Sequence, residues 1–345
     1  MKDSSTSVSQ FVMRQILMRL GFKFLIMIAV PIQAFAWGPL GHKVAAEISF
    51  RNLSPAAKAK VTELLGNANY NDASLWADFV KKKPMWKHTS PYHYADIPDN
   101  SDYFRNLSSL SAEDQKKGDA LMGVLQAEEV LRDRSADNKT KGTALRFILH
   151  ILSDLHQPLH AGRPSDRGGN DIKLDWYGKE VNLHSLWDSG LINSAHPENF
   201  DGKPENEQVN WYAGYLESKY GQKTEPCNAD LLGWFNTSLA LRQVSYTGYE
   251  GDNDAYLEAS IPTVEKQLLA AGKHMACVLN LALLDPVRPQ TETALRRDLE
   301  RILKAPLNTI ISLDPNQNSQ NGVIVDNAIH SVFGHAHGSE IEDCH

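Results

Sequence analysis

The sequence predicts a mainly α fold, a single multi-helix domain interrupted by one small β-hairpin. Three observations carry this. Helix start and stop signals recur along most of the 345 residues. Apolar residues between those signals keep a helical spacing. Strict alternation is confined to Ile172–Leu183, around Gly178, where it marks a hairpin.

Taken in order, the first 36 residues read as an export signal. A basic lead (Lys2, Arg14, Arg19, Lys23) precedes the apolar run Phe24–Val30, and Ala34-Phe35-Ala36 is a small-x-small cleavage site. That run is short for a membrane span. Ser54-Pro55 supplies a cap and an N1 proline for a helix that Gly66 ends. Ser111 opens another, expected to continue through Leu121, Val124, Leu125 and Leu131. In the run Phe147–His160, His150 and Asp154 share one helical face, and Pro158 ends the helix just before His160. His184 and Asp188 repeat the i,i+4 arrangement.

Residues 206–219, 229–244 and 255–285 are expected to be helical, with Pro262 kinking or breaking the last. Arg288–Lys304 reads as one more charged helix, residues 313–322 are turn-rich, and the chain beyond about 310 reads as a poorly ordered appendage. No linker divides the mature chain. The organisation is therefore 1–36 signal, 37–285 one main domain, and 286–345 a partly disordered extension.

The formal net charge is −7. Residues 1–36 hold four positive and one negative charge, so their removal takes it to −10 (−7 − 4 + 1). Such a chain has no general attraction for nucleic acid or anionic membrane, and a phosphate ligand needs a local positive site. No later segment reads as membrane-spanning. Three cysteines, Cys227, Cys277 and Cys344, exclude a cysteine-based zinc cluster and a dense disulfide scaffold. A Cys227–Cys277 bridge is one possibility in an oxidising compartment.

Two His/Asp pairs within about forty residues suggest a multinuclear metal site, because nitrogen and oxygen donors converging at about 2 Å suit zinc. Further candidates lie upstream, in Trp37-Gly-Pro-Leu-Gly-His42, Trp76-Ala-Asp78 and His93-Tyr94-Ala-Asp96. With His150-x-x-x-Asp154-x-x-Gln-Pro-Leu-His160, Gly168-Gly-Asn170-Asp171 and Asn182-Leu-His184-x-x-Trp-Asp188, they form an ordered set over Trp37–Leu284. That set resembles the S1/P1 family of zinc-dependent single-strand nucleases, and the lack of the fungal two-disulfide cysteine set points to a bacterial-type member.

The resemblance implies a phospholipase C/P1 nuclease-like helical fold around a trinuclear zinc cleft. One zinc would be held by Asp78, His93 and His150, with Asp154 bridging to a second. The second would also take His42 and the amino nitrogen and carbonyl oxygen of Trp37, so signal removal would complete the site. The third would take His160, His184 and Asp188. By the same resemblance Asp96 would orient an attacking water, Lys81 would approach the phosphate, Tyr94 and Asn170 would form a base pocket, and Asp171 would brace a loop or imidazole.

The implied activity is hydrolysis of single-stranded DNA and RNA to 5′-nucleotides, with 3′-nucleotidase activity on mononucleotides, by an exported periplasmic or secreted enzyme. No protein partner is implied. Competing readings are a zinc-dependent phospholipase C and a non-catalytic zinc-sequestering protein. His156 is expected in a plain surface or hydrogen-bonded role, and His88, His196 and His274 in ordinary ones. Sequons stand at Asn52, Asn106, Asn138 and Asn236, and the tail offers His330, His335, His337 and Cys344-His345.

Overall fold

The computed structural model describes residues 37–221, 227–285 and 287–315. The signal segment and the histidines of the tail lie outside them. Helix α1 (Pro39–Asn52) starts on an N1 proline. In α2 (Pro55–Leu65) the Ser54 hydroxyl accepts the Ala57 N–H at 3.2 Å, and Gly66 ends the helix at φ 58°. A short α3 (Trp76–Val80) follows. Next come α4 (Ala120–Arg132) and α5 (Asn138–Asp154), each capped by the aspartate before it.

The hairpin pairs β1 (Lys173–Trp176) with β2 (Lys179–Asn182), Leu174 opposite Val181. Its two turn residues, Tyr177 and Gly178, both have positive φ (51° and 81°), the tight turn that matches strand twist. Then come α6 (Glu205–Tyr220), α7 (Leu231–Ser245), α8 (Asn253–Leu284) and α9 (Gln290–Leu303).

Two expectations are corrected here. Ser111 caps only the turn Ala112–Gln115. Gly118, left-handed at φ 73°, ends that segment, and Asp119 starts α4 afresh by accepting the Met122 N–H at 3.0 Å. Pro262 does not break α8, which runs 32 residues without interruption. Tyr256, Ser260, Val264 and Leu268 are all buried at i,i+4 spacing, so one core face holds the helix on both sides of the proline. This is also the one helix among the described residues long and apolar enough to cross a membrane, and it is largely buried in the protein.

Helix α8 packs along α1, where a Cβ on Gly272 would come 2.5 Å from the Ile48 Cβ. Cys227 and Cys277 are joined, with Cα atoms 5.4 Å apart. Residues 287–315 contribute to the core: Leu295, Leu299, Leu307 and Ile311 are buried. Buried Glu292 meets Arg288 and, from α4, Arg132. Ordered packing therefore continues past 310, because Ile311 fills the space over Gly118 and Ser312 bonds the Tyr92 hydroxyl at 3.4 Å.

Candidate metal centre

Eight of the nine predicted ligands bring buried imidazole or carboxylate groups into three adjoining clusters: His42–His150–Asp154, Asp78–His93–His150 and His160–His184–Asp188. Helix α5 supplies His150 and Asp154 one turn apart, as the i,i+4 spacing required. His42 comes from α1 and Asp78 from α3. His93 ends the 3-10 turn Pro84–His93, and His160 lies in the turn Pro158–Ala161. His184 and Asp188 follow β2, the latter in a wide π-type turn. Trp37, the ninth, is fully buried, and its indole donates to Ser153 O at 2.8 Å, beside Asp154.

The donor spacing tests whether zinc fits. Donors at about 2.0–2.1 Å from one tetrahedral zinc stand about 3.3–3.4 Å from each other. Here His150 Nε2 is 3.4 Å from Asp78 Oδ1, 3.2 Å from Asp154 Oδ2 and 3.0 Å from His93 Nδ1. His93 Nδ1 is 3.6 Å from Asp78 Oδ1 and 3.1 Å from Asp154 Oδ2. The other Asp154 oxygen faces His42 Nε2 at 3.5 Å. In the third cluster, Asp188 lies 3.5 Å from His184 Nε2 and 4.0 Å from His160 Nε2.

Several of these atoms are buried without a hydrogen-bond partner: His42 Nε2, His160 Nε2, Asp154 Oδ1 and Asp188 Oδ2. Orphaned lone pairs aimed at a shared point are costly unless a cation takes them. The residues fit the metal.

Outer bonds hold the rings in place. The Nδ1 atoms of His150, His160 and His184 face the carbonyls of Ser74, His93 and Gly168 at 2.6, 2.6 and 2.7 Å. His42 Nδ1 faces the Ser153 hydroxyl at 2.6 Å. In all four, Nε2 is left for the metal. Gln157 donates to Asp188 Oδ1 at 2.6 Å, and Gly38 N–H donates to Asp188 O at 2.8 Å, tying the Trp37 segment to the third cluster.

Burial drives the electrostatics. It pulls His42, His93 and His160 well below the ordinary imidazole value and His184 down to about 4, so all four stand as neutral donors. His150 is the exception. Burial lowers it too, but the carboxylates of Asp154 and Asp78 outweigh that and raise it to about 10. A divalent cation held by the same carboxylates would compete with that proton.

Of the predicted substrate residues, Asp96 is half-buried beside the cleft. Burial and the Asp166 charge raise its carboxyl to about 6, while Arg242 opposes them. Lys81 Nζ contacts Asp78. Tyr94 is 44% exposed, which rules out simple core packing. Asn170 donates one amide hydrogen to Arg167 O at 2.9 Å, and Asp171 pairs with Arg167 at 2.6 Å, so both fix the glycine turn. Asp171 therefore braces the loop.

His156 is buried between Leu152 O and His274 Nδ1, each at 2.7 Å, a hydrogen-bonded role away from the clusters. His88 meets Ser312 O at 3.3 Å, and His196 meets Glu265 at 2.9 Å. Sequence reasoning missed Arg242. From α7 its guanidinium donates to Ile97, Ala161 and Gly162 carbonyls at 2.5, 2.9 and 2.9 Å, and to Asp99 at 3.0 Å. It clamps the segment bearing His93 and Asp96 to the segment bearing His160. No local pattern marks one arginine in an amphipathic helix for that role.

A helical scaffold that converges buried imidazoles and carboxylates on three adjoining points defines a helical protein with three clusters able to hold metal ions. The sequence pattern of the S1/P1 nucleases matches residues 37–284, and the chain belongs to the S1/P1 nuclease family. It is therefore a nuclease, a hydrolase of phosphoester bonds. Its relatives include Endonuclease 2 of Arabidopsis thaliana, 31% identical over 266 residues that cover 71% of this chain and 89% of the plant protein. Nuclease S1 of Aspergillus oryzae is 25% identical over 285 residues, covering 73% of this chain and 93% of the fungal one. Nuclease P1 of Penicillium citrinum is 29% identical over 162 residues, 44% of this chain and 57% of that protein.

Proposed function

We propose that this chain is an exported nuclease that hydrolyses single-stranded DNA and RNA to 5′-nucleotides and removes the phosphate of 3′-mononucleotides with three resident zinc ions. The observation that carries the reading is the set of buried donors at the mutual spacing of a tetrahedral zinc shell, several of them without a hydrogen-bond partner. Asp78, His93, His150 and Asp154 would hold one zinc. Asp154, His42 and the N-terminal amine and carbonyl of Trp37 would hold a second, and His160, His184 and Asp188 a third. When bound, the ions activate water at neutral pH and neutralise phosphate oxygens.

The chain's own residues supply the rest. Asp96, ionised above pH about 6, accepts a proton from the attacking water and aligns it. Lys81, drawn against Asp78, presents its ammonium group to a phosphate oxygen. The exposed Tyr94 ring offers a face to an unstacked base. Asn170 has one amide hydrogen and its carbonyl left to meet that base's edge. An extruded base is required, and that favours single strands over duplex. Export is supported by a family match that begins at Trp37, directly after the expected cleavage site, and by the Cys227–Cys277 bridge, which suits an oxidising compartment.

The test is to incubate processed, zinc-loaded protein with single-stranded DNA, with and without chelator. Chelator-sensitive release of 5′-mononucleotides is expected. No cleavage by protein shown to begin at Trp37 and to carry three zincs overturns the proposal.

A further inference from the structure

Exposed aromatic rings are few among the described residues: Phe79 at 43%, Tyr94 at 44% and Tyr177 at 50%. Two of them directly follow candidate ligands of the same cluster, Phe79 after Asp78 and Tyr94 after His93. Each ring is therefore carried by a residue whose Cα is about 3.8 Å from that of a cluster residue. Tyr94 is already assigned to the base beside the reacting phosphate. Phe79 has no role in the site described so far.

Its surroundings are chemically specific. Lys83 Nζ stands 4.5 Å from the Phe79 ring centroid, a cation–π contact that restrains the ring. Lys81, Lys82, Lys83 and Lys87 fall in one stretch, and residues 79–95 contain no aspartate or glutamate. In a chain of net charge −7 this is a local reversal of sign. Lys82 and Lys87 are exposed. The stretch is anchored from beneath by Trp86, buried edge-on against Trp76 at 5.2 Å between ring centroids. An exposed ring set among lysines on a rigid support, next to a phosphodiester-cleaving centre, has the composition of a single-strand binding track. The ring stacks a base and the ammonium groups follow the backbone.

We propose that Phe79 and Lys83 form a second base-and-phosphate subsite that holds single-stranded polynucleotide beyond the nucleotide being cut. The proposal rests on the nuclease reading above and deepens it. A mononucleotide occupies the Tyr94 side alone, whereas a strand of several nucleotides also reaches Phe79. The subsite therefore sets the preference for polynucleotide over mononucleotide.

The experiment compares zinc-loaded wild type, Phe79→Ala, Phe79→Trp and Lys83→Gln on two substrates, an oligothymidylate and a 3′-mononucleotide. Phe79→Ala is expected to lower kcat/KM on the oligonucleotide about tenfold, the effect of one lost base stack, and to leave the mononucleotide rate within about twofold. Phe79→Trp restores oligonucleotide cleavage. Lys83→Gln flattens the salt dependence of oligonucleotide cleavage by about one phosphate contact. Binding of a phosphorothioate oligothymidylate, which resists hydrolysis, falls in parallel for Phe79→Ala. Equal losses on both substrates, or no loss on the oligonucleotide, overturn the subsite. Wild type that cleaves neither substrate overturns the parent reading instead, and the binding comparison then decides the subsite by itself.

Discussion

Replacing Arg242 by alanine tests how the two halves of the cleft are held together. The guanidinium is buried and donates to three backbone carbonyls. One of these, Gly162 O, also accepts the Ile97 N–H at 2.9 Å and keeps a partner when the arginine is removed. The Ile97 and Ala161 carbonyls depend on the arginine. Asp99 is mostly exposed and retains Arg163 at 3.0 Å, so its loss contributes little. Two buried carbonyls left without donors cost about 1–3 kcal/mol each, so the variant is destabilised by about 4 kcal/mol.

For a chain of this size that corresponds to a fall in Tm of about 6 °C. Arg242→Lys, which reaches fewer carbonyls, falls between wild type and alanine. Urea unfolding of the zinc-loaded proteins measures the stability, and a pH profile of single-strand cleavage measures the second effect. Arg242 opposes the rise in the Asp96 carboxyl, so its removal moves the acid limb of activity to higher pH. An Arg242→Ala protein within about 1 kcal/mol of wild type, with an unmoved acid limb, would refute the clamp.

Three further expectations follow from the same geometry. Asp96 is raised to about 6, chiefly by burial; in its proposed role the carboxylate accepts the proton, so cleavage is full well above pH 6, half-maximal near it and declines further as pH falls. Asp96→Asn lowers the rate about 10²–10⁴-fold and removes that limb; an unchanged limb in stopped-assay profiles counts against Asp96. The Cys227–Cys277 bridge spans a sequence separation of 50, and a loop of that length gives about 4 kcal/mol on the chain-entropy model. Reduction, or the double serine variant, should lower the denaturation midpoint accordingly. A chain stopped after Asp285 loses the buried Leu295, Leu299, Leu307 and Ile311 and should be insoluble or unfolded by circular dichroism. Ile311→Ala alone should cost about 2–5 kcal/mol.

Much of the site was legible because helical periodicity is a local rule. His150 and Asp154 sit one turn apart on a helix that ends before Pro158, so their common face follows from spacing alone. The hairpin at Tyr177-Gly178 was equally local, since a two-residue turn needs positive φ at both positions and glycine supplies it readily at one of them. Where competing local signals met, sequence reading failed. A capped start at Ser111 looked continuous with the apolar repeat beyond it, yet Gly118 and Asp119 ended one helix and began another. Pro262 looked like a break, yet burial on one face outweighed the missing hydrogen bond.

The sequence by itself determined which residue types could bind metal, the order in which they appear and the helices that present two of them together. Only the tertiary structure decided the rest. It brought His42, Asp78 and His93 from separate segments to within donor spacing of α5, and it placed Arg242 across two loops far from it in sequence. It also made residues 290–314 part of the core. The physical reason is common to all three. A contact between distant segments depends on how whole helices pack, and helix packing is fixed by the shapes of both buried faces at once, which no local window of sequence contains.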